Sequence, residues 1–328
     1  MLTLIVYLSL ISGTYEVEYY FLNPQPQMGI GQVEVALYSP SDQLIESSKN
    51  NQNSIPVIFV LPGFDGNPQW YESFISLKEI LNELTAELKI PPAVAVIVNP
   101  TMDGGSGFYV NSLNGGRWRD FISQYLCRWT EQMVKEKFDL EVSEYILIGH
   151  SAGGFGSFYL ILNEPKFSKG ACLSGIISVD MVQDWLFYVQ REGQWANPDE
   201  WNENHFFTRL TYYMFKAFGE NNHELPFVEI DGSLRIFDDL LYLWKRSGYD
   251  LITELEYNLI PESIDKLYLG MGRRDIVVDL DYYLQADQIL SKQLSGQQYR
   301  FEVYDGDHVN GLKQAVANAL IFIFESGD

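Results

Sequence analysis

Tyr145-Ile146-Leu147-Ile148-Gly149-His150-Ser151-Ala152-Gly153-Gly154 is the stretch on which the fold turns. Its first half is a continuous apolar run, the pattern of a strand covered on both faces. Its second half places Ser151 between Gly149 and Gly153, and helix-compatible sequence follows over 153–163. A strand that runs through a tight, small-residue turn into a helix pushes the central serine out at the strand's C-terminal end. There the hydroxyl faces free N–H groups and the positive end of the helix dipole, which favour developing negative charge. Ser151 is therefore the candidate nucleophile.

Working outward, comparable apolar runs recur at 56–63, 93–100, 171–177, 266–272 and 299–306. Helix-compatible segments lie between or after them, at 71–89, 117–137, 280–294 and 311–325. Strand and helix in alternation predict an α/β fold: a mostly parallel central sheet, flanked by helices, with right-handed crossovers. Segments 14–21 and 32–38 alternate and are rich in β-branched and aromatic residues, which predicts an antiparallel edge. The polar segment 40–54 reads as a surface loop.

Residues 180–258 break the alternation. They lack a comparable strand run and are crowded with aromatics, among them Trp185, Trp195, Trp201, Phe206 and Tyr213. They read as a helical insertion within one domain spanning 13–328. Both its ends leave from neighbouring strands, so the insertion is expected to cap the sheet edge that carries Ser151. The competing expectation is that these aromatics only build the insertion's own small core.

The 328 residues include 22 Lys and Arg against 44 Asp and Glu, a net charge of −22. Such a field repels phosphate backbones and anionic membranes, so neither nucleic acid nor stable membrane association is expected. Twenty Phe, 21 Tyr and 7 Trp are incompatible with a solvated coil. Two cysteines, Cys127 and Cys172, cannot make a disulfide framework, and four histidines in no ligand spacing predict no metal site. Residues 2–11 form an apolar run too short to span a bilayer, with no Lys or Arg before Lys49. Residues 1–12 read either as a signal remnant, implying an extracytoplasmic or secreted protein, or as an extra buried strand of a cytoplasmic one.

A serine hydroxyl needs a base, and the base needs an orienting acid. His308 lies in the loop after the 299–306 run, at the same sheet edge as Ser151, whereas His205 and His223 fall in the insertion. Asp275 follows the 266–272 run and sits between nucleophile and base in sequence; Asp279 and Asp281 are rivals within the next helix, and Asp305 and Asp307 lie too close to His308 in sequence. Two backbone donors are needed for an oxyanion. The Ala152 N–H follows the nucleophile, and the Phe64 N–H follows the 56–63 run, where Gly63 lets the chain turn into the site. Gly63, His150 and Trp70 are candidate substrate-contacting residues, with core packing the competing role for Trp70. This chemistry calls for no metal and no organic cofactor.

Further stretches carry a resemblance. They are Gly107-Phe108-Tyr109-Val110-Asn111-Ser112, Arg117-Trp118-Arg119-Asp120-Phe121-Ile122, Asn163-Glu164-Pro165-Lys166-Phe167 and Ala171-Cys172-Leu173-Ser174-Gly175. With the Ser151 motif they resemble the esterase D-like branch of the α/β-hydrolases, which includes S-formylglutathione hydrolases, feruloyl esterases and the mycolyltransferase antigens. The resemblance covers roughly 14–179 and 259–325. It departs from the family pattern at Pro62-Gly63, where His-Gly is usual, and in the length of the insertion. It implies a serine carboxylic ester hydrolase acting on a small-molecule or carbohydrate-linked ester through an acyl-enzyme. An acyltransferase of the same fold, a serine peptidase and a non-enzymatic binding protein are the alternatives; the last predicts a broken triad.

Overall fold

The computed structural model describes residues 14–51, 53–102, 105–219 and 224–325. The apolar N-terminal run therefore lies outside the described residues, as does His223. Eight strands form the central sheet: β1 (Tyr15–Leu22), β2 (Val33–Pro40), β3 (Ser54–Leu61), β4 (Val94–Val98), β5 (Glu141–His150), β6 (Lys169–Leu173), β7 (Lys266–Gly272) and β8 (Tyr299–Tyr304). Their spatial order is β1-β2-β4-β3-β5-β6-β7-β8. β2 runs antiparallel to both β1 and β4. From β4 to β8 every neighbouring pair is parallel.

The near-continuous apolar runs serve two cores at once. In β3, Val57, Phe59 and Leu61 face one core, while Ile58 and Val60 face the other. This is the period-two alternation of a strand with both faces covered. Helices Pro68–Ile75, Leu77–Ala86 and Leu312–Phe324 cover one side. The other is covered by the helical stretch 118–138, helices Ala152–Asn163 and Leu280–Gln293, and the insertion.

Three expectations need correction. Segment 40–54 is not a loop: Asp42–Asn51 is a helix, because Leu44 and Ile45 are buried and both their amides bond the Ser41 carbonyl. The expected helix 71–89 is two helices, broken where Ser76 takes a left-handed φ of 53°. The insertion is not wholly helical. Between its helices Met181–Glu192, Phe206–Phe218, Asp238–Arg246 and Leu251–Tyr257 it carries an antiparallel hairpin, Phe227–Ile230 with Ser233–Ile236. Asp231 and Gly232 turn it at φ 51° and 75°, the double left-handed turn for which Asp-Gly is a strong sequence signal.

The two ends of the insertion are fastened together. The buried Asp250 carboxylate accepts from the Ser178 hydroxyl, the Val179 N–H and the Thr253 N–H, each at 2.8 Å. The Leu251 N–H bonds the Ile177 carbonyl at 3.1 Å. The insertion's aromatics divide between two tasks. Tyr188 stacks on Phe207 within the insertion, at 4.5 Å between centroids. Phe218 meets Phe155 and Phe108 of the main domain at 5.1 and 5.5 Å, so the two parts share one core.

Candidate active site

Four parallel strands end at one edge, and each end delivers part of the site. β5 runs into Ser151, which stands at φ 57° and ψ −123° before the helix Ala152–Asn163. Such a conformation is rare for a residue with a β-carbon and costs about 1–3 kcal/mol. The backbone around it is too close for side chains. A Cβ at Gly149 would lie 1.8 Å from the Gly153 carbonyl oxygen, and one at Gly153 would lie 1.9 Å from that of Leu61. The flanking glycines of the motif are thus required by backbone contact on both sides of the turn.

The loop after β8 brings His308 Nε2 to 2.9 Å from Ser151 Oγ. The loop after β7 brings the Asp275 carboxylate oxygens to 3.0 and 2.9 Å from His308 Nδ1. These two loops are knit together, since the Arg273 and Arg274 amides bond the Tyr304 and Gly306 carbonyls. The Asp275 side chain is fully buried and also accepts from the Val277 and Val278 amides at 2.8 and 3.2 Å. Burial works to raise its pKa, but the His308 hydrogen bond and charge, with help from Ser174 and the Val277 amide, hold it below the usual carboxylate range. Three of the four rival carboxylates are engaged elsewhere. Asp279 caps the helix Leu280–Gln293 through the Asp281 amide, Asp305 pairs with Arg274, and Asp307 caps its own turn through the Val309 and Asn310 amides.

The loop after β3 supplies the fourth part. Gly63 is packed so tightly against the nucleophile that a Cβ there would lie 2.8 Å from Ser151 Cβ. The next residue, Phe64, is buried. Its ring lies 6.1 Å from Phe206 and 5.5 Å from Tyr213, both from the insertion, with the Arg209 guanidinium over it at 5.2 Å. Arg209 also pairs with Asp65 at 2.7 Å. The insertion helix Phe206–Phe218 therefore grips the loop that carries the Phe64 amide.

A cavity of about 220 Å³ opens over Ser151 and His308. Its walls are Gly63, Phe64, Trp70, Tyr71, His150 and Phe206, with Val309 and Asp65 beside them. The three residues expected to meet substrate, Gly63, His150 and Trp70, all line it. Trp70 also stacks on Phe74 at 5.0 Å, but at 40% exposure it is not part of the core. Phe206 is the insertion residue in this wall among the described residues, and no spacing in the sequence singles it out from its aromatic neighbours.

Sequence reasoning also missed two tyrosines. The Tyr71 hydroxyl accepts from the Gly63 N–H at 2.8 Å and lies 2.7 Å from His150 Nδ1. His150 Nε2 lies 2.6 Å from the His308 carbonyl oxygen. Burial, and after it the His308 charge, pushes His150 down to about 3, so it is neutral at ordinary pH. The Tyr109 hydroxyl donates to the Pro62 carbonyl at 2.8 Å, from a backbone in which Phe108 and Tyr109 both take positive φ. Only the quoted stretch 107–112 could have drawn attention to Tyr109. Two of the other quoted stretches meet directly, through an Arg119–Glu164 ion pair at 2.5 Å.

Both cysteines are free and buried, and burial raises each thiol to about 12, so neither is a nucleophile at ordinary pH. Among the described residues no three His, Cys, Asp or Glu side chains gather as a metal site would need, and no helix is long and apolar enough to cross a membrane.

The family model described as "Putative esterase" matches residues 30–211, more than half of the chain. Solved structures share the fold at low identity. A ferulic acid esterase superposes with a TM-score of 0.60 at 15% identity, covering 95% of this chain and 97% of its own. A fluorophosphonate-binding serine hydrolase of Staphylococcus aureus gives a TM-score of 0.60 at 19% identity, covering 96% of this chain and all of its own. An S-formylglutathione hydrolase of the same organism gives 0.54 at 20% identity, covering 94% and 100%. No curated protein sequence matches the chain.

Proposed function

The chain belongs to the esterase family of α/β-hydrolases, and from that premise we propose that it is a serine carboxylic ester hydrolase working through Ser151, His308 and Asp275 by way of an acyl-enzyme. The observation that supports this reading is the His308 imidazole, with one nitrogen 2.9 Å from the Ser151 hydroxyl and the other bonded to a fully buried carboxylate. Asp275 holds the His308 proton on Nδ1 and leaves Nε2 as acceptor. Ser151 Oγ then attacks the ester carbonyl while Nε2 takes its proton. The new oxyanion is met by the Phe64 and Ala152 N–H groups; the first adjoins Gly63, which touches Ser151, and the second opens a helix. His308 hands the proton to the departing alcohol, and the same steps with water release the acid.

The cavity suits a compact, apolar acyl group. Its volume of about 220 Å³ and the aromatic side chains of Phe64, Trp70, Tyr71 and Phe206 in its wall favour such a group. The insertion acts as a cap in the limited sense that it contributes Phe206 and clamps Phe64. Ser151→Ala is expected to abolish ester turnover, and a fluorophosphonate probe to label the wild type at Ser151 alone. Labelling of the alanine variant at another serine, or turnover within tenfold of wild type (about 1.4 kcal/mol), would sink the assignment.

A further inference from the structure

Tyr71 and His150 take no part in the steps above, yet both are buried beside them. With His150 neutral, their hydrogen bonds have one direction. The Gly63 N–H can only donate, so the Tyr71 oxygen accepts, and its own hydrogen is free for His150 Nδ1. At the far end the His308 carbonyl can only accept, so His150 Nε2 carries the proton. The two requirements agree on one neutral tautomer, with Nδ1 bare and Nε2 protonated. The result is an unbroken chain from Gly63 N–H through Tyr71 O–H and the His150 ring to the His308 carbonyl.

This chain spans the two loops that must be in register on either side of Ser151. One end fixes the peptide that precedes the Phe64 N–H, and the other fixes the backbone of His308. We propose that Tyr71 and His150 are positioning residues, which hold the Phe64 loop and the His308 loop in register across the nucleophile. The inference rests on the roles given above to Ser151 and His308. It also accounts for the Gly63 N–H, which is taken by Tyr71 and so is not an oxyanion donor. A charged His150 would present a hydrogen to Tyr71 where an acceptor is needed, and would place a cation 4.9 Å from the imidazole that must itself become cationic.

The test uses Tyr71→Phe, His150→Asn, His150→Gln and the double variant Tyr71→Phe with His150→Asn. Asparagine keeps an oxygen near the Nδ1 position but loses the donor to His308; glutamine keeps a donor near Nε2. Misplacing a reacting group by a fraction of an ångström to one ångström lowers turnover by up to about 10²-fold. Tyr71→Phe and His150→Asn are therefore each expected to lower kcat by about 10²-fold with KM within about threefold of wild type. The rate of fluorophosphonate labelling at Ser151 should fall in parallel. The double variant should be no slower than the worse single one, because a chain broken once is already broken. His150→Gln should recover part of the loss seen in His150→Asn.

Wild-type kcat and labelling rate in Tyr71→Phe, with only its melting temperature lowered, would overturn the proposal. Additive losses in the double variant would also overturn it. Should Tyr71→Phe fail to fold, the two His150 variants decide, and equal turnover in both counts against the chain. Failure of all the variants to fold makes it a stability element and overturns its positioning role. Absence of wild-type labelling at Ser151 would instead remove the functional reading on which the inference stands.

Discussion

Ser151 is held in a strained turn by contacts that admit no side chain at Gly149 or Gly153, and its hydroxyl faces an imidazole whose far nitrogen is tied to Asp275. Asp275 and Asp279 separate cleanly at this scale. Asp275→Asn should keep the fold and lower kcat by about 10⁴-fold, the cost of the wrong histidine tautomer. Asp279→Asn only alters a helix cap, and should shift stability by about 1 kcal/mol or less with turnover intact. Steady-state kinetics and thermal melts on the two variants check this, and a larger kinetic loss in Asp279→Asn would mean that the wrong carboxylate has been assigned. The pH dependence follows from two shifts of the same sign. Asp275 lies below the usual carboxylate range and His150 is pushed down to about 3. Above pH about 5 both therefore keep one charge state, negative and neutral respectively. Neither should add a proton to the acid limb of the activity profile in that range. A plot of log kcat/KM against pH should show no limb steeper than unit slope there; a slope near two would mean that one of these groups titrates in it.

Most strands and helices of the main domain follow from period and composition, but the insertion helix Phe206–Phe218 owes its place in the site to where it lands. Its N-terminus is secured by the Glu192 carboxylate, which accepts from the Phe207 and Thr208 amides at 2.9 Å. That seat puts Phe206 against Phe64 and into the cavity wall, while Trp201 packs on Tyr212 and donates its indole N–H to the Gln194 carbonyl, outside that wall. Phe206→Ala should enlarge the acyl site, raising kcat/KM for longer or branched acyl chains relative to acetyl esters by about tenfold, the worth of one or two buried methylenes. Trp201→Ala should leave that ratio unchanged. A series of p-nitrophenyl esters of increasing acyl length measures both, and an unaltered ratio in Phe206→Ala would exclude the insertion from substrate selection. Helix Asp42–Asn51 and the Asp231-Gly232 hairpin were legible in principle. Ser41-Asp42 followed by Leu44 and Ile45 is a helix start, and Asp-Gly is a hairpin turn; both are brief signals within polar or aromatic surroundings.

At the scale of the whole molecule the net charge of −22 surrounds an apolar cavity, with Asp65 at its wall neutralised by Arg209. Anionic esters approach this field against repulsion that salt screens over about 8–10 Å. Raising NaCl from about 0.02 to 0.3 M should therefore increase kcat/KM several-fold for an ester with a carboxylate in its alcohol portion, and hardly change it for a neutral analogue. Equal salt responses for the two esters would show that the global field does not reach the site.

The order of the central strands and of most helices between them, the buried character of β3 to β7, and the candidacy of Ser151, Asp275 and His308 were legible in the sequence alone; helix Asp42–Asn51, the break at Ser76 and the insertion's hairpin were not expected from it. The legible features rest on local rules: hydrophobic period, the steric demand of a strand-turn-helix, and the chain order of three residue types at strand ends. Distances were beyond those rules. That Tyr71 reaches His150 across 79 residues, that Tyr109 anchors Pro62, and that Phe206 rather than any of its aromatic neighbours enters the cavity were decided by tertiary packing. A tyrosine on a buried helix face reads as core whether its hydroxyl is idle or bonded. Only the folded chain sets which polar tip meets which loop, because that depends on the crossing of elements distant in sequence and not on the pattern within any one of them.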